Sequence, residues 1–168
     1  MNLRAAILAT FLIAQPVGSA FADDEGLTPD LTTRLSTGVS NVFFRAQDLV
    51  LNAMGMMGIP YRWGGATPEA GFDCSGFVQY VVKQALGITL PRSSFDQVKL
   101  GQAVERDQLQ AGDLVFFNTM RAPASHVGIY LGENRFIHAP TTGRTVEIVT
   151  FTDVYWQQRF TGARRLPM

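Results

Sequence analysis

The sequence predicts an α+β fold with helices in its first half and antiparallel strands in its second. Apolar residues recur at helical spacing over 42–57 (Phe43, Ala46, Val50, Met54, Met57) and again over 74–86 (Phe77, Val78, Val81, Val82, Ala85). From Asp113 onward the pattern changes to short apolar runs separated by turn residues, as in an antiparallel sheet. Helices first and antiparallel strands after them make an α+β pattern.

Taken in order, Met1–Arg4 is a short basic start and Ala5–Ile13 an apolar run, followed by small residues at Ala20 and Ala22. Residues 1–22 therefore read as a signal peptide with the mature chain starting at Asp23. The apolar run is too short to span a bilayer, and no lipid-accepting cysteine follows it. The expected location is periplasmic or secreted, without a stable membrane anchor. Residues 23–40, rich in Asp, Thr, Ser and Gly, read as a flexible leader, and 41–168 as one domain.

The first helix is expected to stop at Gly58, with Met54, Met56 and Met57 filling core. A loop over 59–72 follows, rich in Gly and Pro yet carrying Tyr61, Arg62 and Trp63. The second helix runs from about Cys74 to Leu86 and ends at Gly87. L-P-R-S-S-F-D-Q over 90–97 reads as a turn into a short helix capped by Ser93 or Ser94. Strands are expected at 113–118, 126–131, 135–138 and 145–149, with a further one at 159–165.

With 14 basic and 14 acidic residues the formal charge is zero, which argues against nucleic acid as a partner. The chain has a single cysteine, Cys74, so no internal disulfide can form. Such a thiol is an intermolecular partner, a small buried hydrophobe or a nucleophile. Its place at a helix start, where unpaired N–H groups and the helix dipole favour an anion, predicts an acidified thiol. Asp73 is placed to cap that helix, while Ser75 and Gly76 permit a close approach to its first turn.

The two histidines, His126 and His138, fall on adjacent predicted strands. Whether they share a face depends on the hairpin between them. A two-residue loop at Glu133–Asn134 puts them on opposite faces. A three-residue loop, Gly132–Asn134 with Asn134 left-handed, sets Gly128 opposite His138 and brings the histidines to one face. A thiol, a histidine base and a second histidine orienting it then complete a nucleophile triad. A zinc site would need Asp73 or Asp113 as an additional ligand; no metal or cofactor is expected.

The motifs Y-R-W-G-G (61–65), D-C-S-G-F-V (73–78), L-P-R-S-S (90–94), A-G-D-L-V-F-F (111–117), H-V-G-I-Y-L-G (126–132) and F-I-H-A (136–139) resemble, in order, the NlpC-type, papain-like cell-wall cysteine peptidases. Within that family the chain resembles the single-domain Spr-type murein endopeptidases. These are commonly lipoproteins, and the missing lipid-accepting cysteine departs from that pattern. The resemblance implies a papain-like fold in which the nucleophile helix packs on a sheet carrying the histidines. It implies Cys74, His126 and His138 as the catalytic set and Tyr61 as a substrate-positioning residue. Asp73, Ser75, Arg92 and Ser93 are further candidate substrate contacts.

The implied substrate is the stem peptide of peptidoglycan. The bond is either the D-alanyl–diaminopimelate crosslink or the D-γ-glutamyl–diaminopimelate bond within a stem. The oxyanion would be held by the Cys74 N–H and a second donor, with the Tyr61 hydroxyl a candidate. A catalytically silent wall-binding module and an exported toxin are the alternatives on the same fold. No adaptor or controlling protease is legible in the sequence.

Overall fold

The computed structural model describes residues 29–167. The proposed signal peptide and the first residues of the proposed leader lie outside them. Helix α1 spans Pro29–Met54. It begins well before the expected Val42 and takes in 29–40 of the segment read as a leader. Pro29 stands at its first helical position, where the ring's fixed φ suits a helix and the missing N–H leaves no bond unmade.

Near the α1 C-terminus the packed residues are Leu49 and Ala53, with Met56 against the core; Phe43, Met54 and Met57 are exposed. The buried stripe is thus rotated from the one expected.

Helix α2, Cys74–Leu86, matches its predicted bounds. Asp73 accepts the Gly76 N–H at its start, and Gly87 ends it at φ 72°. Ahead of it lie two short paired strands, β1 (Ala66–Thr67) and β2 (Gly71–Phe72). Helix α3, Ser94–Gln97, is capped by Ser93.

Six further strands follow: β3 (Gln102–Val104), β4 (Leu114–Phe117), β5 (His126–Gly132), β6 (Arg135–His138), β7 (Glu147–Thr150) and β8 (Phe160–Arg165). A four-residue helix, α4 (Val154–Gln157), interrupts them before β8. The strands form one antiparallel sheet in the order β3-β8-β4-β5-β6-β7. The α+β architecture stands, with β1, β2, β3 and α4 in addition. Among the described residues no helix is long and apolar enough to cross a membrane.

The sheet is covered on both faces. On one, Phe77, Val78, Val81 and Val82 of α2 pack with Leu114, Phe116, Val127, Ile129 and Ile137. On the other, Val115, Phe117, Tyr130, Phe136, Phe151 and Ala163 form a second, aromatic cluster. Period-2 alternation along β5 and β6 sends neighbouring residues to opposite clusters. Buried Asp113 holds β4 to β8 through two bonds from Arg165, each 2.8 Å.

Candidate active site

Cys74 opens α2 and lines a groove of about 1220 Å3. His126 opens β5 in the same groove, and Tyr61, Asp73, Ser75, Arg92 and Ser93 also line it. The backbone N–H groups of Val127, Ser75 and Cys74 favour a thiolate at Cys74. Burial, with the Asp73 charge second, outweighs them and pushes the half-buried thiol up. The expected acidification of the free thiol is thus reversed. The helix start works as expected but against a larger opposing effect.

His126 Nε2 and His138 Nδ1 lie 2.7 Å apart, with the rings nearly perpendicular. The shared face comes about differently from either expected loop. The turn is the two-residue Glu133–Asn134, with φ of 53° and 55°, the positive values that a type I′ hairpin requires. Pairing runs Gly132↔Arg135, then Tyr130↔Phe136 and Ile129↔Ile137. Leu131 is an extra residue on β5, and this bulge restores the register that a two-residue turn alone would spoil. Both histidines face the aromatic cluster, away from α2; His126 and Cys74 line the same groove, and the N–H of Val127, next to His126, reaches the thiol.

Burial holds His126 down to about 4 and His138 well below the usual imidazole range, the latter also opposed by His126 and Arg144. Because burial penalises each lone charge, a proton passed from the thiol to His126 would create both charges together, as a pair. With Nε2 engaged by His138, Nδ1 is the nitrogen left for that exchange.

Asp73 does more than cap. Besides Gly76, its carboxylate accepts the Gly64 N–H at 2.9 Å and both arms of the Arg92 guanidinium, at 2.9 and 2.5 Å. Arg92 Nη1 also donates to Ser75 Oγ at 2.9 Å. These three candidate substrate contacts therefore form one polar platform beside the thiol. The close approach at Gly76 is made by the Gly65 carbonyl of the chain's own loop, which leaves no room for a Cβ. Ser93 Oγ is occupied at α3, donating to Asp96 Oδ2 at 2.7 Å and accepting its N–H.

Tyr61 reaches the groove from a segment stitched to the 144–146 loop by Tyr61 N–H to Arg144 O at 2.8 Å and Val146 N–H to Ile59 O at 2.8 Å. Burial, then the Cys74 and Asp73 charges, push its hydroxyl up, so it stays a donor. Among the described residues no three metal-ligating side chains converge, and Asp73 and Asp113 each hold an arginine.

Two neighbours of the pair were not singled out from sequence. Trp156 of α4 stacks on His126 (5.7 Å between centroids, 28°) and stands edge-on to His138 at 5.0 Å. Glu147 is the direct cross-strand partner of His138. An acid inside the apolar run T-V-E-I-V was the available signal for Glu147; a tryptophan on a four-residue helix offered none.

The NlpC/P60 family model matches residues 58–165. The chain is 46% identical over 116 residues to murein DD-endopeptidase MepH of Escherichia coli K12, covering 67% of this chain and 43% of that protein. It is 47% identical over 118 residues to gamma-DL-glutamyl hydrolase of Bacillus subtilis, covering 70% and 28%. A crystal structure of an NlpC/P60 family protein from Bacillus cereus superposes with a TM-score of 0.68 at 40% identity, covering 73% of this chain and 40% of that one. The chain thus spans less than half the length of these relatives. Motif order, architecture and match agree: the chain is a member of the NlpC/P60 family.

Proposed function

We propose that this protein is a cysteine endopeptidase that cuts peptidoglycan stem peptides, with the D-alanyl–diaminopimelate crosslink as its bond. The observation that carries the reading is the 2.7 Å contact between buried His138 and His126, which lines the groove together with Cys74. A relative named a murein DD-endopeptidase supports the choice of bond. The γ-D-glutamyl–diaminopimelate bond is the second reading, favoured by the relative named a gamma-DL-glutamyl hydrolase.

Cys74 Sγ attacks the amide carbonyl as its proton passes to His126 Nδ1. His126 gives that proton to the departing amine, which leaves an acyl-thioester on Cys74. Water, deprotonated by His126, then attacks the thioester and frees the acid and the thiol. His138 accepts the His126 Nε2–H and fixes its tautomer. The Cys74 N–H and the Tyr61 hydroxyl stabilise the oxyanion. Arg92, Asp73 and Ser75 shape the wall that receives the substrate, with Ser93 at its rim. Residues 1–22 direct export to the periplasm or beyond, and no metal or cofactor takes part.

The test is digestion of purified crosslinked muropeptides by wild type and Cys74→Ala, with products read by mass spectrometry. Loss of cleavage in the variant supports the nucleophile, and fragment masses separate crosslink from within-stem cutting. Full activity in Cys74→Ala would sink the assignment.

A further inference from the structure

Four buried side-chain atoms among the described residues lack a hydrogen-bond partner, and two of them face each other: His138 Nε2 and Glu147 Oε1, 3.8 Å apart. Buried orphan atoms are uncommon and call for an explanation. Register sets this pair, since His138 and Glu147 are directly opposite on β6 and β7. The gap is about 1 Å longer than a charge-assisted hydrogen bond.

What holds Glu147 back is Arg144. Its Nη2 donates to Oε2 at 2.7 Å and lies 2.6 Å from Oε1 without hydrogen-bond geometry. The Arg144 side chain is 58% exposed, and the residue lines the same groove as Cys74. A guanidinium at the groove wall can exchange one carboxylate for another. Stem peptides carry free carboxylates beside their amide bonds.

Tautomers fix what the exchange would do. If His126 takes the thiol proton at Nδ1, its Nε2–H donates to His138 Nδ1, and His138 carries its own proton on Nε2. That N–H points at the Glu147 carboxylate. The charged groups facing His138 are then His126 from β5, Glu147 from β7 and Arg144 from the preceding loop.

We propose that Glu147 is a positioning residue that extends the Cys74–His126–His138 chain, and that a substrate carboxylate drawing Arg144 away lets Glu147 close on His138. The inference rests on the Cys–His–His reading of the site. Closure stabilises the imidazolium that forms at attack, so the site becomes more reactive when a substrate of the right charge is bound.

The experiment measures iodoacetamide alkylation of Cys74 in the full chain without substrate, and then kcat and KM on muropeptides. Because Arg144 holds Glu147 off His138 until a substrate carboxylate binds, Glu147→Gln should leave substrate-free alkylation at pH 7 close to wild type but lower kcat on the order of ten- to a hundredfold, the worth of one charge-assisted hydrogen bond, with KM little changed. Glu147→Asp should recover part of the kcat loss. Arg144→Gln should speed alkylation by freeing Glu147, yet raise KM for free-carboxylate peptides and not for their amidated forms.

Wild-type kcat in Glu147→Gln would overturn the proposal, as would an alkylation gain in Arg144→Gln that persists when Glu147→Gln is added. So would equal losses in the Gln and Asp variants, or slower alkylation in Arg144→Gln. Alkylation of Arg144→Gln, with and without Glu147→Gln, is read without substrate, so it still reports on Glu147 if wild type cleaves no muropeptide, an outcome that overturns the peptidase reading alone.

Discussion

Leu131 has no partner on β6, and because of it His138 Nδ1 sits 2.7 Å from His126 Nε2. Without the bulge, the Glu133–Asn134 turn would set Ile129 opposite His138, and the two rings would point to opposite faces of the sheet. Extending the observed register Ile129↔Ile137 by one residue instead puts Gly128 opposite His138.

Gly128 is the position where that arrangement tolerates least. A Cβ there would come 2.7 Å from Phe136 Cδ2, 2.8 Å from the Ile137 carbonyl and 3.3 Å from His138 Cβ. A backbone carbonyl cannot step aside, so β6 must move. Gly128→Ala should cost about 1–3 kcal/mol, read as a lowered urea midpoint, and should also lower kcat by stretching the histidine contact. Unchanged stability would show that the two strands are not held together as tightly as this packing implies.

The acid limb of kcat/KM should fall near the His126 value of about 4 rather than at the ordinary imidazole value of about 6.5. The base works only when neutral, and burial keeps it neutral down to that pH. Stability follows the same sign. Between about 6.5 and 4 the unfolded chain binds protons that folded His126 refuses, so stability is lost as pH falls through this window. A pH–rate profile and thermal melts over the same range check both statements. An acid limb at 6.5 would mean that His126 is better hydrated than its 5% exposure indicates.

How much of this site could be read from sequence depends on how local its cause is. Helix α2 and the strands bearing the histidines were legible because apolar periodicity and Gly87 are local signals. The shared histidine face was legible only as one of two parities. An extra residue in the turn and an extra residue in the strand give the same register, and the chain uses the second. The thiol's ionisation was misread because a helix end is written in the sequence while burial and the Asp73 charge arise only on folding. Glu147 lay within a predicted strand, but its pairing with His138 depends on a register between β6 and β7 that no short-range pattern specifies. Helix α4 is too short for periodicity to mark, so Trp156 stayed hidden with it.

Asp73 and Arg92 should behave as parts of one structure rather than as separate substrate contacts. Asp73→Ala removes the α2 cap, worth about 0.5–2 kcal/mol, and leaves Arg92 without its carboxylate. Arg92→Met removes a side chain that is 42% exposed, so its ion pair alone contributes modestly. Its bonds to Ser75 and Gly65 are lost as well. In a double-mutant cycle on urea stability, the pair should show a coupling of about 0.5–3 kcal/mol. Additive losses would return both residues to the role of independent groove contacts.

Trp156 sets how dry the histidine pair is. Its half-buried ring stacks on His126 and also packs against Phe117, Phe136 and His138. Trp156→Ala admits water to both imidazoles and weakens the desolvation that depresses His126. The acid limb of kcat/KM should therefore rise from about 4 toward 6.5, with activity at pH 5 falling relative to pH 7. Loss of ring–imidazolium attraction works in the opposite direction, but at about 0.5–1 kcal/mol it is smaller than the roughly 3 kcal/mol that a shift from 6.5 to about 4 represents. Trp156→Phe, which keeps an aromatic cover, should leave the limb closer to its original position. A limb that moves downward in Trp156→Ala would show that the ring acts on His126 mainly through its π face and not by excluding water.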